Sequence, residues 1–245
     1  MSERISPSSS ERRSFLTRLS TGVAAFAAAM AGGAASAYAQ SSIGASGASG
    51  ASGASWQPER HEKDDWLDKI PAKHRMIFDT TSADGLGDAL AFTNNFMRTN
   101  RTEYGLQNSD LAVIIVMRHR STGFAYNDAI WGKYGVQMSK RANFVDPKTK
   151  EAPKINLLNV AKYDVELPNR GNTVDALVKQ GVHLAVCSVA TRGIATAVAE
   201  ATGGNADNIF TELVSNLLST TAHMVPAGIV AVNRAQEHGY TLVTA

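Results

Sequence analysis

Cysteine is the scarcest reactive residue of this chain, because Cys187 is the only one among 245 residues. A single cysteine excludes an internal disulfide and argues against a zinc site built from several thiolates. The six histidines are scattered, and no two of them have the H-x-x-x-H spacing of helix-borne metal ligands. We therefore expect neither a metal ion nor a cofactor.

The usual nucleotide-binding and hydrolase motifs are also missing. The segment after Asp79 contains Gly85 and Gly87, but Leu90 occupies the place of the third glycine in G-x-G-x-x-G. The chain has no Gly-Lys-Ser/Thr after a glycine-rich loop and no G-x-S-x-G turn. A cysteine hydrolase would need a base beside the thiol, and no histidine is an obvious candidate. These absences weigh against dinucleotide binding, phosphate-loop chemistry and hydrolysis.

An excess of charge of either sign is lacking too. The 24 basic and 22 acidic residues nearly cancel, and the small excess lies in residues 1–39, with Arg4, Arg12, Arg13 and Arg18 against Glu3 and Glu11. Without that segment the net charge is zero. A neutral protein without a basic tract has no electrostatic basis for binding nucleic acid.

The N-terminal segment is typical of a bacterial export signal. Arg12 and Arg13 are adjacent, and a mildly apolar, glycine-interrupted run extends to Ala39. This is the twin-arginine pattern, and Ala37-Tyr38-Ala39 suits cleavage after Ala39. A membrane anchor is the alternative, but it needs about 20 strongly apolar residues. We expect a periplasmic or otherwise exported protein, with no stable membrane insertion after cleavage.

The rest of the chain divides into a linker and a domain. Residues 40–72 contain the repeat Gly44–Ser55, which predicts a flexible linker, and then a charged segment. We expect Trp56 and Trp66 of that segment to pack on the domain surface, with packing on a partner as the alternative. From about residue 73, apolar strand patterns alternate with helical ones, which predicts a three-layer α/β/α fold with a mainly parallel sheet of about five strands. Residues 137–172 are interpreted as an irregular insertion, with a short strand at 154–160 as one option.

Cys187 stands near the end of a predicted strand, where open α/β sheets bind their ligands. A thiol reacts as thiolate, which a helix N-terminus or a cationic side chain stabilises. We therefore predict Cys187 as the reactive group. The residues predicted to stabilise its anion, or that of a persulfide, are Ser188, Val189, Thr191 and Arg192. A buried inert thiol and a disulfide to another chain are the alternatives.

A second group of candidate residues follows the central strand. Arg118, His119 and Arg120 form a possible anion-binding rim beside the cysteine loop. Side chains alternate along an extended chain, so we do not expect all three to face one site.

Four segments in order resemble the DsrE/DsrF-like family, which includes the TusD-type sulfur-relay subunits. They are RMIFDTTSADGLGDALAFTNNFM, LAVIIVMRH, LVKQGVHLAVCSVATRG and HMVPAGIVAVNRAQEHGYTLV, between Arg75 and Val243. The resemblance implies a three-layer fold, a homo-oligomer, and a persulfide on the cysteine that Cys187 matches. It also implies donor and acceptor proteins for the sulfur. The sequence departs from the relay members in its export signal and in its insertion.

We therefore predict an exported persulfide carrier that acts through Cys187. The alternative is a non-catalytic ligand-binding or assembly module of the same fold, in which Cys187 is a core residue.

Overall fold

The apolar run after Asp110 becomes the central strand of a parallel sheet, since β2 (Leu111–Met117) is buried along its whole length. The computed structural model describes residues 57–245. The other strands are β1 (His74–Thr80), β3 (His183–Cys187), β4 (Ala222–Val225) and β5 (Thr241–Thr244). They lie in the order β4-β3-β2-β1-β5, and all pairs are parallel.

Seven α-helices connect or flank these strands in the described part of the chain. They are α1 (Trp66–Lys69), α2 (Ala83–Tyr104), α3 (Asp128–Ala142), α4 (Val174–Val178), α5 (Ser188–Thr202), α6 (Ala206–Ser215) and α7 (Gly228–Glu237). Short 3-10 helices stand at Glu62–Asp64, Asn108–Asp110, Ser121–Ala125 and Leu157–Asn159.

The strand order explains which face each helix covers. From β1 to β4 the chain steps across the sheet in one direction, and right-handed connections place α2 to α6 on one face. The step from β4 back to β5 runs the other way, which places α7 on the opposite face. The sheet thus lies between helices on both sides, which confirms the predicted three-layer α/β fold with five parallel strands.

The second face is completed by residues of the charged segment, which the sequence analysis placed before the domain. Leu67 and Ile70 are buried in the core between the sheet and α7, and the Tyr240 hydroxyl donates to the Leu67 carbonyl. The packed unit spans Gln57–Ala245 and therefore begins before residue 73. The physical reason is that α7 alone leaves part of this sheet face uncovered, and the apolar side chains of α1 fill it.

The predicted insertion is only partly irregular. Residues 137–142 belong to α3, and the option of a strand at 154–160 is wrong, because a 3-10 helix stands at Leu157–Asn159. Leu157 and Leu158 are fully buried, and the Asn156 side chain donates to the carbonyls of Phe124 and Tyr126. The long connection is thus anchored to the core by side chains instead of by sheet pairing.

Residues 1–56 lie outside the described residues, and with them the predicted export signal, its cleavage site and the Gly44–Ser55 repeat. Within residues 57–245, none of the helices combines the length and the apolar character that a membrane span requires.

Candidate functional site

Cys187 is the last residue of β3 and the N-cap of α5. Its sulfur accepts a hydrogen bond from the backbone N–H of Ala190 at 3.4 Å, in the manner of a capping side chain. Only 6% of the residue is exposed to solvent. The sulfur therefore occupies the position where the free N–H groups and the positive end of the α5 dipole are found.

A cavity of about 230 Å³ lies beside this sulfur. The N-terminus of α5 contributes Cys187, Val189 and Ala190, and the N-terminus of α7 contributes Ala227, Gly228 and Ile229. The remaining lining residues are basic: Arg118, His119 and Arg141. Two helix N-termini and three basic side chains thus converge on the cavity that contains the thiol, and each of these features favours an anion.

Arg118 is fixed by a bidentate ion pair across the sheet. Its Nε and Nη2 atoms donate to the two carboxylate oxygens of Asp79 on β1, at 2.7 and 2.8 Å. The hydrogen bond to Asp79 raises the pKa of Arg118 above its usual value, so the guanidinium stays charged. Gly228 packs against this side chain: an added Cβ would lie 2.5 Å from the Arg118 Cβ.

His119 has a backbone φ of 57°, in the left-handed region that few non-glycine residues adopt. This turn lets consecutive residues after β2 diverge. Arg118 and His119 line the cavity at Cys187, whereas Arg120 lines a neighbouring groove together with His119. Of the three predicted rim residues, Arg118 and His119 therefore lie beside the thiol, whereas Arg120 lies in the adjoining groove.

Arg141 is the basic residue that sequence reasoning missed. It lies in the last turn of α3, within the segment interpreted as irregular. Its guanidinium packs on α5 at Gly193, where an added Cβ would lie 2.7 Å from Nη2. The absence of a side chain at Gly193 therefore allows this cation to reach the cavity. No motif in the sequence pointed to this residue, because residues 137–172 were interpreted as irregular.

Arg192, in contrast, does not lie where the sequence analysis expected it. Its Nη1 donates to Asp207 at 2.5 Å, and its guanidinium stacks over the Phe210 ring at 3.9 Å, both on α6. It is not among the residues that line the cavity. Arg118 and Arg141 supply the positive charge that had been assigned to Arg192.

The other predicted residues have different roles. Val189 is exposed and lines the cavity. Thr191 is buried, and its hydroxyl donates to the Cys187 carbonyl at 2.9 Å, which orients the backbone and not the sulfur. The Tyr126 hydroxyl then donates to Thr191 at 2.6 Å, and burial raises the pKa of Tyr126, which keeps it protonated. Ser188 is half-buried and does not line the cavity.

A second titratable cluster lies at the other end of β3. His183 Nδ1 is 3.1 Å from His223 Nε2, and Trp66 stacks on His223 with ring centroids 4.0 Å apart. Burial lowers the pKa of both histidines, to about 4 for His223, where the neighbouring His183 adds to the effect. Across residues 57–245 no three His, Cys, Asp or Glu side chains are grouped closely enough to hold a metal ion.

Comparison of the chain with protein-family models, curated proteins and solved structures gave no significant match. The geometry at Cys187 is therefore the observation from which a function is inferred.

Proposed function

We propose that this protein carries sulfane sulfur as a persulfide on Cys187. The observation that carries the proposal is the position of the sulfur, at the N-terminus of α5 and beside a cavity lined by Arg118 and Arg141. The resemblance to the DsrE/DsrF-like family points to the same chemistry at the same residue. The twin-arginine pattern adds that the carrier works in the periplasm.

The transfer conserves atoms and electrons. The Cys187 thiolate attacks the outer sulfur of a persulfide R–S–SH, the donor S–S bond breaks, and R–S⁻ leaves as Cys187–S–SH forms. An acceptor thiolate then attacks the outer sulfur on Cys187 and releases the Cys187 thiolate. Each step is a thiol–disulfide type exchange and needs no external oxidant or reductant.

The geometry suits the species that this exchange requires. Both the thiolate and the deprotonated persulfide are anions, and the N–H of Ala190 already points at the sulfur. The cavity has room for one or two additional sulfur atoms, since its volume is about 230 Å³. Cys187 is only 6% exposed, so the inner sulfur of a loaded persulfide stays largely buried and the outer sulfur lies in the cavity.

The test is to incubate the native protein with inorganic polysulfide and to measure the intact mass. We expect a gain of about 32 Da, one sulfur atom, located on the Cys187 peptide and removed by a small thiol. C187S is the control and should gain nothing. Sulfur uptake by C187S, or no uptake by the wild type, would contradict the proposal.

The second candidate is a ligand-binding module in which Cys187 only packs. Its low exposure favours this alternative, since a free cysteine is often a small buried hydrophobe. A thiol that reacts only after unfolding would make this the better account.

A disulfide between two copies through Cys187 is less consistent with the geometry, because it needs Cα atoms within about 7 Å. The recessed position opposes such an approach. A homo-oligomer, and donor and acceptor proteins for the sulfur, stay predictions from the family resemblance.

A further inference from the structure

A larger groove adjoins the cavity at Cys187. Its volume is about 630 Å³, and it lies between the C-terminal end of α3 and the C-terminal half of α5. His119 and Arg141 line both depressions, so the groove adjoins the cavity that contains the thiol. A volume of this size is typical of small-molecule sites, which span roughly 300–1,000 Å³.

The groove carries unbalanced positive charge. Arg120, Lys140 and Arg141 line it, against one acidic residue, Glu200. Within residues 57–245, no carboxylate lies within ion-pair distance of any of these three cations, and their side chains make no hydrogen bond. By comparison, Lys133, which is also on α3, donates a hydrogen bond to the carboxylate of Glu212 on α6.

The helix dipole accounts for only part of this charge. Lys140 and Arg141 are in the last turn of α3, where cations interact well with the carbonyl end of a helix. Arg120 comes from the turn after β2 and has no such relation to α3, but it lines the same groove. The convergence of cations from two separate elements indicates a site for an anionic ligand.

We propose that this groove binds the carboxylate-bearing part of a small organic thiol or persulfide, so that its sulfur reaches Cys187. The proposal rests on the proposed function and names the class of donor or acceptor. Arg120 and Lys140 bind the carboxylates at the far end, and Arg141, shared with the cavity, contacts the portion of the ligand nearest the sulfur. Glu200 lies against the ligand's amino group where it has one.

The test uses S-methylglutathione, an unreactive peptide thioether with two carboxylates, and the full chain carrying C187S. Calorimetry should show binding, and R120Q together with K140Q should weaken it about tenfold or more. R98Q is the matched control: Arg98 is exposed on α2 and does not line the groove, so its loss of charge should leave the affinity unchanged. The diethyl ester of the same probe should bind as weakly to the wild-type groove as the acid binds to the double variant.

Because C187S cannot carry sulfur, this measurement is independent of the persulfide proposal. Equal affinity of acid and ester, an unchanged affinity in the double variant, or no binding at millimolar concentration would overturn the inference. Sulfur uptake from inorganic polysulfide by the wild-type protein is a separate measurement. Failure of this inference can therefore be told apart from failure of the persulfide proposal.

Discussion

The two ends of β3 form opposite kinds of polar cluster. At its start, one ring nitrogen of His183 is hydrogen-bonded to one of His223, and the Trp66 ring stacks on His223. At its end, Cys187 faces a cavity, and Arg141 beside it has no carboxylate partner within the described residues. Polar groups that satisfy each other stabilise the fold, whereas unpartnered ones of a single charge are available to a ligand.

The difference does not come from the strand itself. His183, Ala185 and Cys187 alternate with buried Leu184 and Val186, so all three point to the face that α7 covers. Helix α1 packs at one end of this face, whereas at the other end α5 and α7 begin and present free N–H groups. The neighbouring elements therefore make the His183 end of β3 a closed end, where polar groups pair with each other. They leave the Cys187 end as an open end, where polar groups face a cavity.

The largest expected effect is on the free energy of unfolding and concerns Arg118, the paired cation at the open end. R118A leaves the Asp79 carboxylate, which is 5% exposed, without its two hydrogen bonds. We expect a loss of about 2–4 kcal/mol in the free energy of unfolding, measured with urea, because an unpaired buried charge is costly. R120A removes a neighbouring exposed cation and should change stability by less than about 0.5 kcal/mol. Similar losses for both would contradict the distinction between paired and free cations.

The closed end should make stability depend on pH. The pKa of His223 is lowered from 6.5 to about 4, so between these values the unfolded chain binds a proton that the folded protein excludes. The stability contributed by the neutral His223 is therefore fully present above pH 6.5 and is lost as the pH drops toward 4. Because the ring is half-buried, we expect only about 1–2 kcal/mol from this source.

H223Q isolates this contribution, since carboxylates also titrate at the lower end of the range. The variant should lose less stability than the wild type between pH 7 and pH 4.5 in urea unfolding. Parallel curves would show that the histidine pair is not held neutral by the fold.

A smaller effect should follow from uncovering the histidine pair. W66L removes the stacked ring and should cost about 0.5–1.5 kcal/mol in the free energy of unfolding. Water then reaches His223, and its pKa, followed by NMR, should rise from about 4 toward 6.5. Y104L, at an aromatic residue that is 74% exposed, is the control and should alter neither quantity. An unchanged His223 titration in W66L would mean that the strands alone bury the pair.

The smallest expected effect is on the alkylation rate of Cys187 and concerns Arg141, which has no carboxylate partner within the described residues. R141Q removes a positive charge beside Cys187, and we expect the ratio of alkylation rates with iodoacetate and iodoacetamide to fall about two- to fivefold. Iodoacetamide is neutral, so the ratio separates charge from access. R98Q should leave it unchanged, and an unaltered ratio in R141Q would show that Arg141 does not act on the thiol.

Local patterns predicted the strands and the position of Cys187, because the apolar runs and the residues that end them are short-range signals. Arg192 was placed wrongly for a simple geometric reason. It follows Cys187 by five residues, and at 3.6 residues per turn its side chain points about 140° away, whereas Ala190 and Thr191 return to the cysteine.

Arg141 and the packing of Leu67 could not be predicted, because both depend on tertiary contacts between segments far apart in sequence. Arg141 reaches the site only because α3 crosses α5 at Gly193. Leu67 is buried only because a single helix covers the second face of the sheet. Neither relation leaves a periodic signal in the sequence.

The most direct test of the open end is the alkylation of Cys187 in the native wild-type protein, compared with the same protein in urea. The account predicts that the thiol is labelled without denaturant and that the iodoacetate-to-iodoacetamide ratio is higher in the native state, since the folded site is positively charged. Labelling only after unfolding would contradict the account and would make Cys187 a packing residue.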